Sequence, residues 1–276
     1  MIKPKVYVTE HPLSKTVAKA VLAGTMGHAV PPLELLDGPA ICYGILRGCG
    51  DIIRKAFNST QDFYHIDHGY LKRVDWSDSG SLSYGHFRVT KNALSMFGGL
   101  PRCASATRFQ KLNIEYKPLS VGRSIVVCEL TEMFSQNHPW MKLNKEEWLE
   151  GVLRQLRRHT DRPVVVKDKT SGKLTDLLSD AYCLVCHSSN AAIEAAISGV
   201  PCIALGESIC NQLGPSAIKD IEMVSHIAKS EWEDLRMNVF YTAANNQFTL
   251  SELAQEATWD RLLGEATWNG NKQRLR

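Results

Sequence analysis

Several features are missing from this chain, and each absence excludes something. None of its apolar runs approaches the ~18 residues that cross a bilayer, so a helical membrane span is not expected. The opening MIKPKVYVTEHPLSK lacks an apolar core and a small-residue cleavage site, so the expected location is cytoplasmic. Charge of one sign is also lacking. Thirty-two Lys and Arg against 29 Asp and Glu leave +3, too little to imply nucleic acid by itself. Neither a repeat of fixed period nor a low-complexity segment occurs. The motifs G-x-G-x-x-G after a strand, G-x-x-x-x-G-K-[ST], H-E-x-x-H and G-x-S-x-G are absent, which removes the chemistries they carry.

What remains is ordinary globular composition, 44% hydrophobic and 22% charged, excluding a disordered, collagenous or coiled-coil chain. Its 276 residues suffice for one large domain or two small ones. Eight cysteines stand at 42, 49, 103, 128, 183, 186, 202 and 210, several inside apolar runs. With no export signal they are expected as reduced, buried thiols. Cys183 and Cys186 form a C-x-x-C, but AYCLVCH reads as a buried strand. Positions three apart then face opposite sides, so no metal is expected there.

The chain alternates strand and helix. KVYVTE (5–10), PAICYGIL (39–46) and DFYHID (62–67) read as strands. Between the first two lies a helix capped by Ser14 and stopped by Gly24; after the second comes the helix DIIRKAFN. That order implies parallel pairing. Residues 68–122, rich in Gly, Ser and Tyr, read as irregular loops and short strands near a site. SIVVCEL (124–130) restarts the rhythm. Asn144 and Glu147 resemble a capping box ahead of an apolar stripe through Trp148, Leu149, Val152, Leu153 and Leu156. DRPVVVKDK (161–169), AYCLVCH and VPCIAL (200–205) are further strands. Helix-prone sequence fills 215–263, and NGNKQRLR is a basic tail. The expected fold is α/β, with two Rossmann-like parallel-sheet halves, residues 1–122 and residues 123–276, the second with C-terminal helices.

The chemistry is expected beyond the carboxyl ends of the strands. There His187, Ser188, Ser189 and Asn190 open a helix of small residues that carries one acid, Glu194. Unpaired N–H groups at such a turn suit a phosphate, and the acid suits ribose hydroxyls. Ser-Ser-Asn is equally a good helix cap, and a helical Glu is commonplace.

This stretch, AYCLVCHSSNAAIEAAISGVPCIALGES, resembles the nucleotide-sugar motif of GT-B-fold glycosyltransferases. WLEGVLRQLRRHTDRPVVVKDK, IDHGYLKR and YGHFRVTKN resemble segments of phage and capsule-type members. The resemblance implies a compact GT-B-like enzyme of hexosyltransferase type, metal-independent and free of cofactors, its two halves facing a cleft with residues 1–122 on the acceptor side and 123–276 as the nucleotide-sugar-binding domain. A nucleoside diphosphate sugar, UDP-linked by expectation, would be the donor. Ser188, Ser189 and Asn190 would lie at the diphosphate with His187, and Glu194 at the ribose. Lys167 and Lys169 would neutralise the leaving group, and Gly206 and Ser208 would share the rim. A D-x-D metal signature is missing; Asp75-Trp76-Ser77-Asp78 is D-x-x-D.

Asp67 and His68 follow the third strand as alternative bases for an acceptor hydroxyl. Tyr70 lies beside them, and Arg88 suits a phosphate or an acceptor anion. His28 reads as structural and His138 as a loop residue. A hydroxymethylated base of phage DNA is one acceptor, with Arg102, Arg108, Lys111, Arg154, Arg157, Arg158 and the tail as its electrostatic support. The location would then be the host cytoplasm. The alternatives are a nucleotide-sugar epimerase of the same fold, or a non-catalytic nucleotide-sugar or nucleic-acid-binding module.

Overall fold

The structure, a computed structural model of the chain, describes residues 3–75, 78, 80–97, 105–140, 144–168 and 172–264. Lys169, Trp76, Arg102, Cys103 and the basic tail lie outside them. The elements run in the order β1 (Lys5–Tyr7), α1 (Pro12–Thr25), β2 (His28–Val30), β3 (Ala40–Tyr43), α2 (Cys49–Asn58), β4 (Phe63–His68), α3 (Ser81–Tyr84) and β5 (Phe87–Lys91). There follow α4 (Ala106–Leu112), β6 (Ser124–Cys128), α5 (Glu132–Asn137), α6 (Lys145–His159), β7 (Val164–Lys167), α7 (Leu174–Leu178), β8 (Ala181–Cys186), α8 (Ala191–Ile197) and β9 (Cys202–Ala204). A 3-10 helix (Ile218–His226), α9 (Lys229–Asn245), β10 (Gln247–Phe248), α10 (Leu250–Leu253) and α11 (Glu256–Leu263) complete the chain.

Two compact units emerge. The described residues of Met1–Leu94, Asn137–Lys142 and Ala243–Arg276 form the first; those of Ser95–Gln136 and Leu143–Thr242 form the second. This differs from a division at 122/123 with the C-terminal helices in the second half. The reason is long-range packing: Leu253, Trp259 and Leu262 join the core of Val6, Val17, Val21 and Ile41 under the first sheet. The chain thus returns to its starting unit.

The first sheet has the order β10-β5-β4-β3-β1-β2. Strands β2, β1, β3 and β4 pair in parallel, as the alternating pattern implies, but β5 and β10 are antiparallel. One face packs on α1, α10 and α11; the other, with Tyr7, Cys42 and Phe63, packs on Ile52, Ile53 and Ala56 of α2. The second sheet, β7-β6-β8-β9, is wholly parallel. All six residues of β8 are buried, as a strand covered on both faces requires.

Several local signals act as read. Asn144 Oδ1 accepts from the Glu147 N–H at 2.9 Å and caps α6, which is the forward half of the expected capping box without the return bond from Glu147. On that helix Val152 and Leu156 are buried, while Arg154, Arg157 and Arg158 are exposed. Gly199 ends the α8 segment at φ +77°, a left-handed conformation that favours glycine. The thiols of Cys42, Cys49, Cys128, Cys183, Cys186, Cys202 and Cys210 are free and buried.

Two readings around α1 need correction. The helix begins at Pro12 after His11, and Ser14 lies inside its first turn, where its Oγ accepts from the Thr9 N–H at 3.1 Å. Gly24 does not stop it. The end is Met26, left-handed at φ 49°, with its N–H on the Leu22 carbonyl. Gly24 instead admits a neighbour, since a Cβ there would lie 2.6 Å from the Leu253 carbonyl oxygen and 2.6 Å from Trp259 Cδ1.

This contact decides the sign of a substitution. Replacing a helical glycine by alanine normally gains about 1 kcal/mol, whereas overpacking against backbone and a buried indole costs about 1–3 kcal/mol. Gly24→Ala is therefore expected to lower the urea midpoint. A raised midpoint would mean that α10 and α11 do not press on α1.

Candidate functional site

In the second sheet the chain goes from β6 outward to β7 and then back past β6 to β8. That reversal makes the carboxyl ends of β6 and β8 a topological switch point, the place where open α/β sheets bind ligands. A cavity of about 160 Å³ lies there, lined by Cys128, Glu129, Leu130, Thr131 and Phe134 after β6 and by His187, Ser188 and Ser189 after β8. Small-molecule sites generally span about 300–1,000 Å³, so this cavity seats one ring of a larger ligand.

His187 forms its wall. The side chain is buried, and burial holds the imidazole below its usual pKa, so the ring is neutral near pH 7. Its Nδ1 lies 3.1 Å from Ser188 Oγ, and the Phe134 ring stands 5.7 Å away at 59°. Gly206 makes room for it: a Cβ there would sit 2.3 Å from His187 Cε1. The Gly206 N–H donates to the His187 carbonyl at 2.9 Å, so this glycine supplies space and not a spare donor. Ser208 is buried and internally bonded, its N–H to Asn211 Oδ1 and its Oγ accepting from the Cys210 N–H.

At the start of α8, Ser189 and not Asn190 provides the side-chain cap, Oγ accepting from the Ala191 N–H at 3.1 Å. Lys167 of β7 pairs with Cys128 in the parallel ladder, and the Glu194 charge on α8 acts on the same thiol. Burial first, then the Glu194 charge, pushes the Cys128 thiol up to about 12, with Lys167 opposing. The Lys167 ammonium donates to the Asp168 carbonyl. The structure thus gathers Lys167, His187, Ser188, Ser189 and Glu194 at one end of one sheet.

Reading the sequence missed the β6 side of this cavity: Glu129, Thr131 and Phe134. Glu129 pairs with Lys145 at 3.0 Å and gives the cavity a carboxylate, an acceptor for hydroxyl or amino hydrogens. The switch-point rule could have found these residues, since it points to the loops after both strands.

A second polar cluster occupies the carboxyl end of β4 in the first unit. Asp67 pairs across the antiparallel ladder with Arg88, Oδ2 to Nη2 at 2.9 Å, and its Oδ1 accepts from the His68 N–H at 2.8 Å. Burial alone would raise the Asp67 carboxyl, but Arg88, with His65 and His68, holds it below the ordinary carboxylate value. The Arg88 guanidinium lies 5.1 Å over the Tyr70 ring, and its side chain is 9% exposed. Arg88 therefore carries an internal partner, which departs from a guanidinium held open for an anion. His68 faces Tyr43, ring centroids 6.4 Å apart, with its pKa lowered by burial. His28 is exposed on the edge strand β2, and His138 stacks edge-on with Trp140.

His65 completes this face. It is 2% exposed, its Nδ1 lies 3.0 Å from the Leu94 carbonyl oxygen, and burial drives its pKa down to about 4. Its Nε2 has no hydrogen-bond partner among the described residues.

No family model matches the chain. No curated protein matches it either. Among solved structures it is similar to Thermosulfurimonas dismutans KpsC, beta Kdo 2,4 transferase, with a TM-score of 0.46 and 12% identity over 88% of this chain and 90% of that one. It is also similar to Thermosulfurimonas dismutans KpsC, beta Kdo 2,7 transferase, at 0.47 and 11% over 93% and 98%. Likeness at this level names no donor or acceptor, and the functional argument rests on the residues above.

The buried imidazole makes a testable stability claim. His65 has a folded pKa of about 4 against 6.5 unperturbed, so its neutral form is stabilising above pH 6.5. That contribution is lost as pH falls from 6.5 toward 4, by up to about 3 kcal/mol at about 1.4 kcal/mol per unit. Asp67, held low, loses its contribution only at more acid pH. In urea titrations between pH 7 and pH 4.5, His65→Leu is expected to flatten the fall in stability. An unchanged slope would place the pH response elsewhere.

Proposed function

We propose that this protein is a glycosyltransferase that moves a sugar from a nucleoside diphosphate donor to an acceptor hydroxyl. One observation carries the reading: the switch-point cavity is lined by His187, Ser188 and Ser189, with Lys167 level with its wall residue Cys128 in the ladder and the Glu194 charge acting on that thiol. Anion-compatible hydroxyls, a cation for the departing diphosphate and a carboxylate for ribose hydroxyls are the groups that this donor needs. The cavity takes one ring, and the rest of the donor lies along the loops after β7 and β8. Asn190 and Lys169 remain in the proposed donor set, with Gly206 and Ser208 as its structural support.

In the reaction, the acceptor oxygen bonds to the anomeric carbon and the bond to the diphosphate breaks, its electron pair leaving with the nucleotide. The acceptor proton needs a base. In the first unit Asp67 is engaged by Arg88 and held at low pKa, whereas His68 is neutral near pH 7, so of these two proposed bases His68 is the one able to take a proton. Tyr70 and Arg88 position that strand end. No group in this scheme requires a metal or a bound cofactor.

A thermal-shift screen of UDP-, GDP-, ADP- and CMP-sugars tests the donor. A ligand at 100 times its Kd stabilises by about 2.7 kcal/mol, which one of the four is expected to show. A charged hydrogen bond is worth about 1.5–3 kcal/mol, so Glu194→Ala should weaken that donor about tenfold to a hundredfold. Equal affinity in the variant would remove Glu194 from the site. Turnover of the donor without an acceptor would make the protein an epimerase, and binding without release of nucleotide would make it a module.

For the acceptor we propose a hydroxymethylated base of DNA, extruded to reach the reacting carbon. Arg154, Arg157 and Arg158 on the exposed side of α6 are the cations in its support. DNA affinity should be highest at low salt and fall linearly with the logarithm of salt concentration. An absence of binding at low salt would sink the DNA acceptor while leaving the donor reading intact.

A further inference from the structure

The second sheet has an open outer edge. β7 ends that sheet, and among the described residues no strand lies beyond it. All six residues of β8 and four of the five in β6 are buried, whereas none of Val164–Lys167 is, and Val164 is 36% exposed. The ladder fixes which way the backbone groups of β7 point. The Ile125 N–H donates to the Pro163 carbonyl at 2.8 Å and the Glu129 N–H to the Lys167 carbonyl at 3.3 Å. Pro163, Val165 and Lys167 therefore turn their backbone inward, while Val164 and Val166 turn theirs outward. The missing donor of Pro163 falls on the inner side, so this proline does not blunt the edge. Beyond the valines the outer edge is already used: the Arg162 N–H binds Thr160 Oγ1 at 3.2 Å, and the Asp168 carbonyl takes the Lys167 ammonium.

The helix beside this edge carries a matching pattern. Trp148 of α6 turns toward β8, its ring 6.5 Å from that of His187. Glu146, Leu149, Leu153 and Arg157, spaced by three or four, share the other flank, toward the β7 edge. The two leucines are half-buried, and Glu146 and Arg157 are exposed with no ion-pair partner among the described residues. Val164 and Val166 stand in register with Ile125 and Val127, on the face that α6 covers, so they lie on the same side of the sheet as the leucines. Charge is thus ordered along the flank, acid first and base last, with apolar residues between.

A two-fold rotation turns that order into its own complement. An axis normal to the sheet sets two β7 edges antiparallel, Val164 opposite Val166, so that each exchanges its N–H and C=O bonds with the other. The same axis lays the two α6 helices side by side on one face, Glu146 against Arg157 and the leucines between them. We infer that the β7 edge and this flank of α6 bind a second copy of the chain, joining two four-stranded sheets into one. The self-complementary charge selects this occupant over a foreign strand, which has no need of an acid and a base at opposite ends of the helix. Arg154 and Arg158 lie off the flank and keep their proposed place toward DNA.

Sedimentation velocity on the full chain tests the pairing. A dimer with a Kd of about 1–100 μM is expected, as suits a small interface, and it should weaken as salt is raised. Val164→Lys places a charge on the exposed edge and should abolish it while keeping the parent's far-ultraviolet circular dichroism. Glu146→Arg and Arg157→Glu each set like charges opposite one another at both symmetric positions, and each should weaken the dimer about tenfold. Mixed in equal amounts, these two variants regain both opposite-charge pairs, so a heterodimer of parental affinity is expected. Damage to the helix could not produce that recovery. A chain still monomeric at about 1 mM in low salt, a dimer that Val164→Lys leaves intact, unchanged affinity in both charge variants, or no recovery on mixing would each overturn the assignment.

Discussion

The structure of the second unit depends on the hydrogen bonding of one strand: β6 pairs in parallel with β7 on one side and β8 on the other. Parallel strands cannot be joined by a hairpin, so the chain leaves each carboxyl end, crosses a face and returns at the amino end. After β6 it turns toward β7; after β8 it turns toward β9. Loops diverging from adjacent strand ends leave a gap that no backbone fills. The strands beside that gap are covered on both faces, so polar chemistry is confined to their ends. His187 is the first polar side chain after the six buried residues of β8, and it stands at the wall of the cavity. Glu129 occupies the corresponding place after β6, where Lys145 at the start of α6 holds its carboxylate.

The first unit solves a different problem. Its sheet is parallel only as far as β4, and β5 turns back beside it. Covering that edge falls to β10, two residues long, a short strand that offers little to a foreign chain. Gln247 of β10 also satisfies the Leu71 backbone, accepting from its N–H at 2.8 Å and donating to its carbonyl at 2.9 Å. The helices after β10 then bury Trp259, whose Nε1 donates to the Leu253 carbonyl. A tail segment of about twenty residues thus completes a core begun at residue 5.

That division explains which parts of the fold were legible. Strands buried on both faces, such as AICY and AYCLVC, announce themselves as apolar runs, and the Asn144 cap and the Gly199 turn are local chemistry. The edge strand HAV carries no such signal, because two of its three residues are exposed. QF is too short to show a period. Gly24 reads as a helix stop by composition, yet its role is set by Trp259, 235 positions further on; a local pattern cannot encode a partner at that distance. The candidate site divides likewise. The loop after β8 is conspicuous because Ser-Ser-Asn precedes a helix of small residues. The loop after β6 is ordinary in composition, and only the strand order makes Glu129, Thr131 and Phe134 its counterpart.

The pair Asp67–His68 shows the same limit on the scale of two residues. Adjacent positions of a strand point to opposite faces, so neighbours in sequence have different surroundings. Asp67 falls on the face of His65 and Thr90, opposite Arg88 in the antiparallel ladder. Its carboxylate is held by a 2.9 Å ion pair and stays ionised well into acid. His68 falls on the face of Tyr43, where burial outweighs the Asp67 charge and keeps the ring neutral. A base must be unprotonated and must not already be bound to a cation. By that criterion the two candidates, equal in sequence, separate: the ion pair makes Asp67 an anchor for the strand end, and the neutral imidazole is the group that can accept a proton near pH 7.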